Sequence, residues 1–180
     1  MNTLEAIRAR KSVRSYKQSP VEAEKIEQLI TAANNAPTTG TLHISVVENK
    51  NILKSLNDTV LSAMKNSGND FLVGRASLEG YQPLYGAPVL LLFSAPEGAP
   101  YTEAAASCAA ANITVAATEL GLGSCYVISP LLGIKANPEF GKQIGIPEGF
   151  VPVCGVLAGY SGGDAFGTSR STACSINYCK

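Results

Sequence analysis

Residues 102–127 read TEAAASCAAANITVAATELGLGSCYV. From Thr102 to Leu120 almost every position is small or apolar, and Glu103 and Glu119 are the only charges. A helix on a protein surface carries a clear polar face. Here Ala or Ser lies on nearly every side, so the pattern predicts a helix that other elements approach closely all round. Its expected place is the centre of the fold, and a subunit interface is where such a helix would lie. Gly121 is the natural stop, and a strand follows over about Ser124 to Ile128.

The surroundings of this helix are as poorly charged as the helix itself. Between Ala76 and Ile134 there is no Lys or Arg, and the acids are Glu79, Glu97, Glu103 and Glu119. Working outward, Pro88 opens an apolar strand, VLLLFSA, and a last strand is expected at Val151 to Ala158. On the N-terminal side the order is a short helix from about Thr3, capped by Asn2 or Thr3, and then a longer helix. For the longer helix Ser19-Pro20-Val21-Glu22 has the form of a capping box with Pro in the first turn. Ile26, Leu29, Ile30 and Ala33 mark its buried face, and Ala36 before Pro37 ends it. A strand over about His43 to Val47 and a helix over about Asn51 to Lys65 come next. Residues 66 to 85 read as irregular, and their Phe71, Tyr81 and Tyr85 are either core or the lining of a pocket. Helices mixed with four or five short strands indicate α+β or α/β. The length of 180 residues suits one domain, with the Gly- and Ser-rich tail from Gly159 as an extension.

Formal charge is zero, from 14 basic and 14 acidic residues. That balance argues against a general nucleic-acid or membrane-surface protein, and the apolar runs are too short to span a bilayer. The Arg-rich start contains Glu5 and has no apolar signal core, so it reads as mature protein, with a cytoplasmic location expected. Five cysteines, an odd number with no C-x-x-C, read as reduced thiols, although Cys174 and Cys179 are near enough in sequence to oxidise together. One histidine, His43, and no metal-ligand spacing leave no expectation of a metal site. There is no phosphate-loop motif, and the glycines at 121 and 123 follow a helix rather than a strand, so they complete no dinucleotide fingerprint.

The exception to the even charge is IRARKSVRSYK, residues 7–17, where Arg8, Arg10, Lys11, Arg14 and Lys17 fall within ten positions. In an extended segment Arg10, Ser12 and Arg14 face one side. Two guanidiniums with a hydroxyl between them suit a phosphate. A solvated basic stretch is the other reading of the same residues.

Taken together, these segments resemble the nitroreductase family of FMN-dependent enzymes. IRARKSVRSY resembles the family opening, and AANNAPTTGT its AA-x-x-AP-S-x-x-N loop. LYGAPVLLLF resembles its Tyr-x-AP strand, and AAANITVAATELGLGSCYV its QN-x-x-LAA-x-x-LGLGSCW segment. GIPEGFVPVCGVLAGY resembles its closing strand. The five occur in the family order and cover most of the chain. The resemblance implies an α+β sandwich, a central antiparallel or mixed sheet flanked by helices, forming an intertwined homodimer with FMN at the interface. Residues 1–180 would be one such domain, and 159–180 would cross to the partner subunit.

Carried over by position, Arg10, Ser12 and Arg14 would meet the FMN phosphate and ribityl chain, with Lys11 adjacent. Pro37, Thr38 and Thr39 would lie against the flavin, with Thr41 and His43 at the ring edge. Ile128 and Ser129 would offer backbone amides to the flavin N5 and O4 edge, and Arg170 would close over the phosphate. Asn112 matches the family's helix Asn and reads as interface or supporting structure. Thr41 stands where the family usually has Asn and His43 where it has Gln. Ser45 replaces an aromatic residue and Ala105 an acid. A hydroxyl at Thr41 lacks the paired donor and acceptor of an amide. His43 is either a packed strand residue or a flavin-edge donor. The activity implied is ping-pong reduction of an electron-poor small molecule, such as a nitroaromatic or quinone, by NADH or NADPH. No dedicated catalytic residue is expected, because the flavin carries the chemistry. The alternative is a flavin-binding protein with weak or lost turnover.

Overall fold

A computed structural model describes residues 1–163 and 174–179. The central sheet has four strands, β1 (His43–Val47), β2 (Val89–Pro96), β3 (Gly123–Val127) and β4 (Phe150–Gly159). They are arranged β1-β2-β4-β3, and every neighbouring pair is antiparallel. β2 and β4 are the inner strands, and β2 is buried from Val89 to Ala95, as its unbroken apolar run requires.

Helices cover both faces of this sheet. One face meets α2 (Ala23–Asn34) and α5 (Thr102–Glu119), with α1 (Thr3–Ala9) against α5. Its core contains Leu29, Phe93, Ile113, Leu122 and Val156. The other face meets α3 (Lys50–Lys65) and α6 (Ser129–Ala136), flanked by α4 (Asp70–Ala76) and α7 (Glu139–Gln143). Leu56, Val60, Leu90, Leu92 and Leu157 form that second core. Among the described residues no helix is long and apolar enough to cross a membrane.

α5 packs as its composition demands. Ala105, Ala106, Ala109, Ala110, Ile113 and Ala117 are buried, and small side chains let α2 and two strands approach it. The opposite side, with Ala104, Ser107, Cys108 and Ala111, is exposed in the single chain. Its end is a Schellman motif: Leu122 N–H donates to the Ala117 carbonyl at 2.8 Å, and Gly121 N–H to Thr118 at 3.2 Å. Gly121 takes the left-handed φ of 73° that the motif needs. Asn112 donates from Nδ2 to the Ala32 carbonyl at 3.0 Å, so it ties α5 to α2.

Three expectations are corrected. The Ser19–Glu22 capping box does not form, because α2 starts at Ala23 with Glu22 at its N-cap and no side-chain cap bond. The Glu22 carboxylate instead accepts from the Tyr160 hydroxyl at 2.7 and 2.8 Å. Residues 66–85 are not wholly irregular: α4 lies within them, and Asn69 caps it by accepting from Leu72 N–H at 3.1 Å. Phe71 is neither core nor buried lining, being 73% exposed.

Candidate functional site

The basic segment leaves α1 and joins the free edge of β3. Val13 N–H donates to the Ser124 carbonyl at 2.9 Å, and Ser12 forms a parallel bridge with Ser124. The chain then turns across the end of the sheet, where Tyr16 bridges Ser161 and its hydroxyl donates to the Leu157 carbonyl at 3.4 Å. Two glycines permit this route. A β-carbon on Gly123 would lie 2.8 Å from Val13 Cγ2, and one on Gly159 would lie 2.6 Å from Pro88 Cδ and 3.2 Å from the Tyr16 ring. The G-L-G-S and A-G-Y sequences are the traces of these close approaches.

Arg10, Ser12 and Arg14 all act on the buried thiol of Cys125 on β3. Burial pushes that thiol up, opposed by Arg14, a hydrogen bond from Ser12, and Arg10. Arg10, Lys11 and Ser12 are partly buried and Arg14 is exposed. Arg14 Nη1 donates to the Ser12 carbonyl at 3.4 Å, which bends its guanidinium back over the segment. Among the described residues Arg10, Lys11 and Arg14 enter no ion pair. Cations left unpaired on a fixed backbone hook form an anion-binding arrangement. Nearby, Ser124 Oγ is buried without a partner, as are Ser45 Oγ and Ser94 Oγ.

Ile128 and Ser129 stand at the other end of the same strand, four residues beyond Ser124, a distance of about 13 Å at strand rise. Ile128 is 63% exposed and heads α6, where Pro130 has no N–H and Leu131 N–H turns back to the Ile128 carbonyl at 3.1 Å, which leaves the Ile128 and Ser129 amides as the open donors. Ser129 Oγ donates to the Pro83 carbonyl at 3.3 Å, which fixes the corner. One strand edge therefore offers a cation cluster at one end and open amides at the other.

The remaining residues expected at the site are not brought to this edge. Pro37, Thr38, Thr39 and Thr41 are exposed in the loop before β1, and β1 is the opposite edge of the sheet. Four inter-strand steps, about 19 Å, separate that edge from the Ser12 segment. His43 pairs with Ser94 and meets the Phe150 ring edge-to-face at 6.5 Å. Within one chain it is a packed strand residue, on the same side of the molecule as the loop. Arg170 lies outside the described residues.

Two features were missed from the sequence. Cys125 was read only as one of five reduced thiols, and nothing local showed that the basic segment would act on it. Arg75 sits one residue outside the cation-free tract and reaches a cleft of about 410 Å3 beside Arg14, shared with Tyr81 and Tyr85. Those two tyrosines are partly buried and do both things weighed for them, packing against the core and lining the cleft.

A family model described as Nitroreductase family matches residues 7–160. Among solved structures, a nitroreductase with bound FMN from Bacteroides fragilis is 29% identical, with TM-score 0.86 and all of both chains covered. A nitroreductase with bound FMN from Desulfitobacterium hafniense is 24% identical, with TM-score 0.89 and all of both chains covered. An FMN-dependent nitroreductase from Clostridium difficile is 23% identical, with TM-score 0.82 and 99% of each chain covered. No curated protein matches the chain. The matched span takes in the basic hook, the small-residue helix, the Gly-bounded strand and the closing strand, and the chain belongs to the nitroreductase family.

Proposed function

We propose that the chain is an FMN-dependent oxidoreductase that takes electrons from NADH or NADPH and reduces an electron-poor small molecule, such as a nitroaromatic or quinone, in ping-pong turnover. The observation that carries this reading is the β3 edge: Arg10 and Arg14, which have no acidic partners among the described residues, beside Ser12, and the Ile128 and Ser129 amides about 13 Å along the strand. That donor set fits an elongated ligand with a phosphate at one end.

Arg10 and Arg14 would hold the phosphate oxygens through planar donor forks, with the Ser12 hydroxyl between them and Lys11 adding positive potential. The amides at Ile128 and Ser129 would meet the ring end. Bound FMN would supply the two-electron chemistry, since hydride moves on and off its N5. The protein's work is then to place, charge and shield the ring. Water can supply protons to the product, which accords with the lack of a His- or Cys-based dyad.

The loop holding Pro37, Thr38, Thr39 and Thr41, and His43 behind it, lies too far away to serve the same site in one chain. Contributed by a second copy, the loop would complete the site from the opposite side. We therefore read the protein as a homodimer with its flavin sites at the subunit interface, formed across the exposed side of α5. In this reading residues 159–180 are an extension of the single domain that crosses to the partner, and Arg170 closes over the phosphate. The location proposed is cytoplasmic.

The visible spectrum of the purified protein, before and after anaerobic NADPH, tests the proposal. The expected result is a flavin spectrum bleached by NADPH and restored by a nitroaromatic or quinone. A colourless protein that will not take up added FMN overturns it. Bound FMN that neither NADH nor NADPH bleaches selects the flavin-binding protein without turnover.

A further inference from the structure

The end of the basic hook opens onto the cleft of about 410 Å3, lined in part by Arg14, Tyr16, Gln18, Arg75, Tyr81 and Tyr85. Gln18 Nε2 donates to the Gly86 carbonyl at 2.9 Å, which ties the continuation of the hook to the segment that follows α4. Arg14 and Arg75 are the only charged side chains on the lining, and among the described residues neither enters an ion pair. Like charges that share a cleft repel, and an anion bound between them removes that repulsion.

Arg75 stands in the last turn of α4 and is held by aromatic groups rather than by a carboxylate. Its guanidinium carbon lies 5.2 Å from the centre of the Tyr81 ring, and Nη2 donates to the Tyr85 hydroxyl at 3.5 Å. The two rings meet edge-to-face at 6.2 Å. Stacking on Tyr81 fixes the plane of the fork without neutralising it. A guanidinium carries five N–H donors, and the contact with Tyr85 uses one.

We infer that Arg75 is a further basic residue of the phosphate end, holding the cofactor's phosphate together with Arg14. The inference rests on the proposed binding of FMN and adds to it a residue from a different element of the fold. Arg14 belongs both to the hook and to the cleft, so a phosphate held by the hook borders the cleft that Arg75 reaches. A phosphate monoester carries three strong acceptor oxygens and close to two negative charges at neutral pH. It therefore has room for a planar fork from α4 beside those of the hook.

The test titrates the full chain, freed of flavin, as wild type, Arg75→Gln and Arg75→Lys, with FMN and with riboflavin, which lacks the phosphate. The wild type is expected to bind FMN the more tightly. Arg75→Gln should lower FMN affinity by about tenfold or more and leave riboflavin affinity unchanged. Arg75→Lys should keep part of the FMN affinity, because it retains the charge without the planar fork. Unchanged FMN affinity in Arg75→Gln overturns the inference. Equal losses for both flavins also overturn it, since they would make Arg75 a structural residue. If neither flavin binds the wild type, the FMN reading fails by itself, and calorimetry of phenyl phosphate against phenol decides the site. Phenyl phosphate binding that is lost in Arg75→Gln supports it, and no binding, or binding that Arg75→Gln leaves intact, overturns it.

Discussion

Val13 lies so close to Gly123 that a β-carbon there would sit 2.8 Å from Val13 Cγ2 and 3.0 Å from the two neighbouring carbons. This contact presses the basic hook onto β3, so Gly123→Ala must displace backbone or a β-branched side chain. Overpacking of this kind costs about 1–3 kcal/mol. The expected outcome is a lower denaturation midpoint together with weaker FMN binding, read by denaturant unfolding and flavin titration. Unchanged FMN affinity in a destabilised variant would show that the hook need not be seated to bind.

Arg10→Ala with Arg14→Ala addresses the phosphate end alone. Each charge-assisted hydrogen bond contributes about 1.5–3 kcal/mol, so FMN affinity should fall by at least about a hundredfold for the pair. Both side chains lack acidic partners among the described residues, and the melting temperature of the apoprotein should stay near that of the wild type. Unaltered FMN affinity would mean that the hook is a solvated basic stretch.

Tyr160 joins the end of the sheet to α2. Its hydroxyl donates to Glu22 and accepts from Lys25 Nζ at 2.7 Å. The Tyr160 hydrogen bond is the main reason the Glu22 carboxyl sits below its ordinary value. A carboxyl lowered on folding stabilises the fold above its unfolded value, about 4.3, and loses that contribution as pH falls through the folded value. Tyr160→Phe should therefore lower the melting temperature at neutral pH by a small amount, since the pair is exposed. The difference between variant and wild type should close below about pH 4. A gap that persists at acid pH would place the effect in packing.

Cys108 tests the assembly. It is exposed on the outer side of α5 in the single chain, as are Cys174 and Cys179 near the C-terminus. Cys125 and Cys154 are buried, and burial pushes the Cys154 thiol up to about 11. The proposed dimer is probed with a small alkylating reagent at neutral pH. Cys108 should react slowly until the protein is diluted or denatured. Fast native labelling of Cys108, read by peptide mass spectrometry, would remove α5 from the interface.

Where local chemistry governs, the sequence was readable. The small-residue pattern of α5, its Gly121 stop and the apolar run of β2 each carry their structure in their own composition. The α2 capping box failed for a tertiary reason. Val21 is buried in the core and Tyr160 takes the Glu22 carboxylate, so contacts made 138 residues away outweigh a local bond worth about 1 kcal/mol. α4 escaped notice because it is seven residues long, too short for an amphipathic period to show. Phe71 could not be placed, since the identity of an aromatic residue does not say which side of a short helix meets the core.

The same division holds for the candidate site. Local composition singled out the residues expected to hold an anion and the order of the elements, because charge, hydroxyl chemistry and helix termination are properties of neighbouring residues. Tertiary structure decided that Ser12 pairs with Ser124, so that the hook and the α6 amides share one strand edge. It also decided that Thr41 and His43 lie across the sheet from them. Strand order sets those distances, and strand order follows from how two cores are covered by helices joined through long connections. No short stretch of the chain contains that information.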